Sequence, residues 1–203
     1  AYPSVIRLIT SESNVGMWKN AERLVMASRG EFIAFCEGDD HWSDPRKLQT
    51  QVDFLASNSQ YGAVHTGFEA AILRSSKWRL GPGRALPCEA NPADGEIFSQ
   101  LLRGNFIQTC TFLARSELVK AALESRLKYA SYPVVDWPMF LHISACSPIG
   151  YIASPTAVYR RVSGSAMNSG SARALEVLAL YVTMLEDVFE LFDVEATDRV
   201  RSL

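Results

Sequence analysis

Three carboxylates, Glu37, Asp39 and Asp40, stand within four residues directly after the apolar run Phe32-Ile-Ala-Phe-Cys36. Like charges this close repel one another, and at the end of a covered strand they are costly unless a cation neutralises them. Hard oxygen donors of this kind suit Mg²⁺ or Mn²⁺, usually held by one or two carboxylates with substrate phosphates completing the shell. Asp39 and Asp40 are the candidate ligands. The plainer reading is an Asp-rich turn before a helix that Asp44-Pro45 opens, with Asp as N-cap and Pro at the first helical position. A fourth carboxylate, Asp136, heads the segment Asp136-Trp-Pro and reads by itself as an N-cap. Trp42 and Trp137 are candidate stacking surfaces for a sugar or base, or core packing. His41, His65 and His142 share no ligand spacing, and His65 is read as a core residue.

The acidic cluster needs elements to position it. Ser4 to Thr10 (SVIRLIT) reads as a β-strand, followed by a turn at Ser11 to Asn14 and a helix with Met17, Ala21, Leu24 and Val25 on one face. The unbroken apolar run from Phe32 to Cys36 predicts a strand buried on both faces, as in a parallel sheet. The next helix presents Leu48, Val52 and Leu55. Tyr61 to Leu73 is extended, and Ser75 to Pro92 is a long irregular excursion. Helices are expected at Asp94 to Arg103, Ser116 to Leu127 and Asp136 to Cys146, and strands at Phe106 to Ala114 and Gly150 to Tyr159. A last helix, from about Ala172 to Phe192, places Leu175, Leu178, Val182, Leu185 and Phe189 on one face, which must cover core or a partner. Alternating strands and helices make this an α/β layer domain, in which ligands bind beyond the carboxyl ends of the strands.

The 203 residues are 48% hydrophobic and 21% charged, a globular balance that excludes disorder as the main state. Twenty basic against twenty-two acidic residues argue against nucleic acid as a bulk electrostatic partner. The four cysteines, Cys36, Cys88, Cys110 and Cys146, form no Cys-x-x-Cys pair and are read as reduced, structural thiols. No signal-peptide pattern opens the chain, and the Leu175 to Phe192 segment is too acidic to span a bilayer. The expectation is a cytoplasmic protein or one peripheral to a membrane.

Read in order, the stretch from Asn14 to Asn58 contains Asn14-x-Gly16, Lys19-Asn20, Arg29-Gly-Glu-Phe-Ile-Ala-Phe-x-Glu-Gly-Asp-Asp-His-Trp42 and Asp44-Pro45-x-Lys47-Leu48-x-x-Gln51-Val52-x-Phe54-Leu55. It resembles the inverting nucleotide-sugar glycosyltransferases of GT-A family 2. Weaker likeness resumes at Gly104-Asn105, at Val135-Asp136-Trp137, at Gly150-Tyr-Ile152, and at Tyr159-Arg160 with Gly164-Ser165. The resemblance implies a GT-A, Rossmann-like, mostly parallel sheet over residues 1–170, with residues 171–203 an amphipathic helix on the domain or a partner. It further implies metal-dependent transfer of a sugar from a nucleoside-diphosphate sugar to an acceptor hydroxyl, with inversion. On that likeness Glu37 lies near the donor ribose, Asp39 and Asp40 reach Mn²⁺ or Mg²⁺, Lys19 and Asn14 lie near the donor diphosphate, and Asp136 is the general base. Arg160 becomes a candidate phosphate contact. Val162 stands where the family often has His, and Pro138 departs from its usual run.

The family's first Val/Ile-rich strand, its Pro-x-Tyr-Asn turn and its Asp-Asp-x-Ser segment do not precede Tyr2-Pro3. The resemblance therefore implies a domain short of its first strand, which associates as a homodimer and has little transferase activity by itself. The alternative is a non-catalytic module that keeps nucleotide or metal affinity. A phosphate-ester hydrolase is a poorer third reading, because no nucleophile or second acidic cluster can be named.

Overall fold

The longest strand pair sets the frame. In the computed structural model, which describes residues 4–74, 77–82, 94–125, 127, 129–161 and 171–194, β3 (Ala63–Arg74) runs parallel to β6 (Ile149–Arg161). The chain between them carries α3 (Phe98–Leu102), α4 (Ser116–Glu124) and α5 (Asp136–Cys146), the crossover that a parallel pair requires. Around this pair the sheet has the order β1-β5-β3-β6-β2, with β1 at Phe32–Ala34, β2 at His41–Trp42 and β5 at Leu113–Arg115. The sixth strand, β4 (Lys77–Pro82), folds back on β3. The β1–β5, β2–β6, β3–β4 and β3–β5 pairings are antiparallel, so the sheet is mixed and the expected mostly parallel arrangement does not hold.

The register of β3 on β6 shifts at Gly67, where an added Cβ would lie 2.5 Å from the Ala153 carbonyl oxygen. A backbone oxygen cannot swing aside, so only glycine allows the two strands this approach. Beneath the sheet, Phe112, Phe140, Leu101, Ile107 and Ile143 are buried in one apolar cluster. Helix α6 (Ser171–Leu191) closes it with Met184, Leu185, Val188 and Phe189. Only this second half of the expected stripe packs inward; Leu175 and Leu178 remain 70% and 58% exposed.

Three strand expectations change. Residues 4–10 form no strand, and Val5, Ile6 and Leu8 are 82%, 62% and 82% exposed, since a β-forming sequence gains little without a neighbour to pair with. The apolar run after Gly30 gives only the three-residue edge strand β1, which pairs with β5 alone and has Ile33 as its one buried residue. The segment from Phe106 to Ala114 is irregular up to a 3₁₀ turn, Thr109–Thr111, and becomes strand only at Leu113. Among the described residues no helix is long and apolar enough to cross a membrane. Cys88, Val162, Gly164, Ser165 and most of the excursion after Ser75 lie outside the described residues.

Candidate functional site

Antiparallel pairing of β1 with β5 places the carboxyl end of β1 beside the start of β5, which the Thr109–Thr111 turn precedes. The acidic loop and that turn therefore meet. Glu37 hydrogen-bonds the Thr109 side chain. The Thr109 hydroxyl in turn donates to Asp136 Oδ2 at 3.1 Å, and Asn105 Nδ2 donates to the same oxygen at 3.3 Å. One hydroxyl carries one proton, so both Thr109 contacts are made as hydrogen bonds when one of the two carboxyls is protonated.

The electrostatics agree with that arrangement. Glu37 is exposed as a residue, and desolvation of its carboxyl against the loop is the main cause that pushes it up from 4.5 to about 7, with Asp40 and Asp136 adding repulsion against the bonds it accepts. Burial likewise raises Asp136, against bonds from the Trp137 N–H, Thr109 and Asn105. Asp136 is the first residue of α5, and Val135 occupies the cap position. Its Oδ1 accepts the Trp137 N–H at 2.8 Å, so it still satisfies a free donor of the helix start without being the N-cap.

On the other flank, β2 pairs with β6 at His41↔Val158, which brings Asp40 against the far end of β6. Asp40 Oδ1 accepts the Arg160 backbone N–H at 2.8 Å, and burial raises its pKa, with Asp39 adding to the rise. The Arg160 guanidinium lies over the Trp78 ring, 5.6 Å from its centre, with its Nη2 3.5 Å from His41 Nδ1. Asp39 is exposed at the tip of the loop. Among the described residues no group of three or more His, Cys, Asp or Glu side chains is arranged to hold a metal ion.

The structure thus ties Glu37, Asp40 and Asp136 into one site and leaves Asn14 and Lys19 on a separate element. Asn14 Oδ1 accepts the Gly16 N–H at 2.9 Å, an Asx turn that starts α1 (Gly16–Ala27). Lys19 pairs with Glu22 one turn along that helix. Asn14 lines a shallow groove of about 370 Å³ together with Ser11, Asn20 and Arg23. Trp137 is core: its indole N–H donates to the Leu101 carbonyl at 2.9 Å, and its ring packs on Tyr181. His65 is 3% exposed in β3 between Phe106 and Tyr151.

Helix α2 (Lys47–Ser57) begins two residues later than Asp44-Pro45 suggests, because Asp44 Oδ1 accepts the Arg46 N–H and forms a turn of its own. Its inward face is Lys47, Gln51 and Leu55, at helical spacing, while Leu48 is 39% exposed. Sequence reading passes over Lys47 and Gln51 because both are polar. Their spacing from Leu55, at four and eight residues, was the available signal. Thr109 carried no signal at all.

The raised pKa of Glu37 predicts a sign for stability. Between about 4.5 and about 7 the folded chain holds a proton on Glu37 that the unfolded chain has released, so this group makes folding weaker as pH rises through that window. Glu37→Gln removes the penalty. We expect its melting temperature to exceed the wild-type value at pH 8, to approach it near pH 4, and to vary less in between. A variant that melts below wild type at pH 8 would contradict the raised pKa of this carboxyl.

No family model matches the chain. "Uncharacterized protein Rv1520" of Mycobacterium tuberculosis and "Uncharacterized protein Mb1547" of Mycobacterium bovis are each 30% identical to it over 164 residues. The match covers 79% of this chain and 43% of each relative. The chain thus spans less than half the length of the curated relatives it matches.

Proposed function

We propose that the chain is the donor-binding part of a GT-A type, inverting glycosyltransferase that takes its sugar from a nucleoside diphosphate. The observation that supports this reading is the meeting of Glu37 and Asp136 at Thr109 beyond the carboxyl end of β1, with the charge of Asp40 near Glu37 on the same loop. Inversion needs a base facing away from the leaving group, and Asp136 Oδ2, held by two side-chain donors, is the group that would take the acceptor proton. Glu37 would accept from donor hydroxyls. Asp39 and Asp40 are the residues that would hold Mn²⁺ or Mg²⁺. Crowding of three acidic side chains on one loop, with Asp40 raised in pKa, is a donor set that gains from a cation. Since the described residues supply so few ligands, diphosphate oxygens would complete the shell. Once bound, the cation would act as a Lewis acid on the departing diphosphate.

Uridine diphosphate tests the reading directly. It should raise the melting temperature more with Mn²⁺ than with chelator, because a ligand selective for the folded state stabilises it. In Asp39→Asn that difference should vanish. A full metal-dependent shift in the variant removes Asp39 from the site, and no shift in wild type favours a module without nucleotide affinity. Homodimer formation through the open edge of β1 belongs to the same proposal, and a strictly monomeric protein in sedimentation overturns that part.

A further inference from the structure

Lys47 and Gln51 are 1% and 0% exposed, an unusual place for an ammonium group. Lys47 Nζ donates to Gln51 Oε1 at 2.5 Å and lies 4.9 Å from the centre of the Trp42 ring. Among the described residues it takes part in no ion pair. Burial lowers its pKa to about 8. A buried ammonium without a carboxylate is costly, and the ring face and the amide oxygen are what offset that cost.

What this assembly touches is the frame of the site. The Trp42 indole N–H is shared between the Cys110 carbonyl at 3.0 Å and the Phe35 carbonyl at 3.3 Å. Phe35 lies two residues before Glu37, and Cys110 directly follows Thr109. Gln51 Nε2 donates to the Thr111 carbonyl at 2.8 Å and to Val64 at 3.1 Å. One indole therefore bridges the segment carrying the acidic loop to the turn carrying the hydroxyl that joins Glu37 and Asp136, while Gln51 fastens the turn to β3 and Lys47 lies against the indole ring.

We propose that Trp42, seated on the buried Lys47–Gln51 pair, is a positioning residue that sets the acidic loop against the Thr109–Thr111 turn. This rests on reading Glu37, Asp40 and Asp136 as one nucleotide-binding site, but the contact itself can be measured without any ligand.

Trp42→Phe keeps an aromatic ring at this position and removes the indole N–H together with part of the ring area. The Phe35 amide donates to the Phe112 carbonyl across the two segments, while the amides of Asp40, Thr111 and Phe112 are hydrogen-bonded within the loop or the turn that the contact joins. In the variant their hydrogen exchange should rise together by about tenfold, the loss of roughly one hydrogen bond, with the β3–β6 ladder unchanged. The affinity for uridine diphosphate with Mn²⁺ should fall by a similar factor. Unchanged exchange in either segment overturns the proposal, and so does faster exchange with undiminished affinity, which makes the contact structural only. If neither protein binds the nucleotide while exchange rises in both segments, the positioning contact stands and the nucleotide reading fails. Should Trp42→Phe not fold, the wild-type indole N–H serves: slow exchange, accelerated in Lys47→Met, supports the proposal, and exchange at the rate of a free indole in wild type overturns it.

Discussion

On the proposed function, Asp136→Asn should lower turnover by about 10²–10⁴-fold, the usual contribution of a general base, and leave nucleotide affinity nearly intact. The expectation is for the protein in a form that turns over a nucleotide sugar. Asn has the shape of Asp and still accepts one of the two sets of bonds that Asp136 makes, to the Trp137 N–H or to Thr109 and Asn105. It cannot take a proton. Burial raises Asp136, so the acidic limb of the wild-type rate profile should lie above the ordinary carboxylate range. Activity is lost as pH falls through that limb, because the base is then protonated. Steady-state kcat and KM across pH distinguish the roles. Loss of melting temperature with an unaltered kcat would make Asp136 only the opening residue of α5.

Phe140→Ala should destabilise the fold by about 3–5 kcal/mol, the usual cost of emptying a buried aromatic site. Phe140 is 0% exposed on α5, and its ring centre lies 4.5 Å from that of Phe112, the residue that follows the Thr109–Thr111 turn. The pair joins the helix that begins at Asp136 to the turn that carries Thr109. For a chain of this length each kcal/mol moves the melting temperature by about 2–4 °C, so a fall of roughly 6–20 °C is expected in calorimetry or by circular dichroism. A cost below about 1 kcal/mol would mean that the cluster refills the space and that the contact does not secure the site.

Much of the local structure was legible. Helix α5 runs from Asp136 to Cys146 as its pattern and Pro138 suggest, because proline in a first turn forfeits no helical bond. Strand β6 and helix α6 also fall within two residues of the expected bounds. The acidic loop follows a strand, as the apolar run before it implies. Less legible were the strands whose existence depends on a neighbour. Residues 4–10 have the composition of a strand but form none, and β1 is three residues long with Ile33 alone buried where its sequence suggests burial on both faces.

By itself, then, the sequence determined where backbone conformation follows from nearby residues: the extents of α5 and α6, the turn at Asn14, and the concentration of negative charge after Phe35. Only the tertiary structure decided that β1 and β5 run antiparallel, which puts Thr109 between Glu37 and Asp136, and that Lys47 and Gln51 point inward beneath Trp42. The physical reason is range. Periodicity and turn chemistry are summed over a few residues, whereas strand pairing and the burial of a polar side chain depend on donors, acceptors and apolar surface that distant segments bring to the same place.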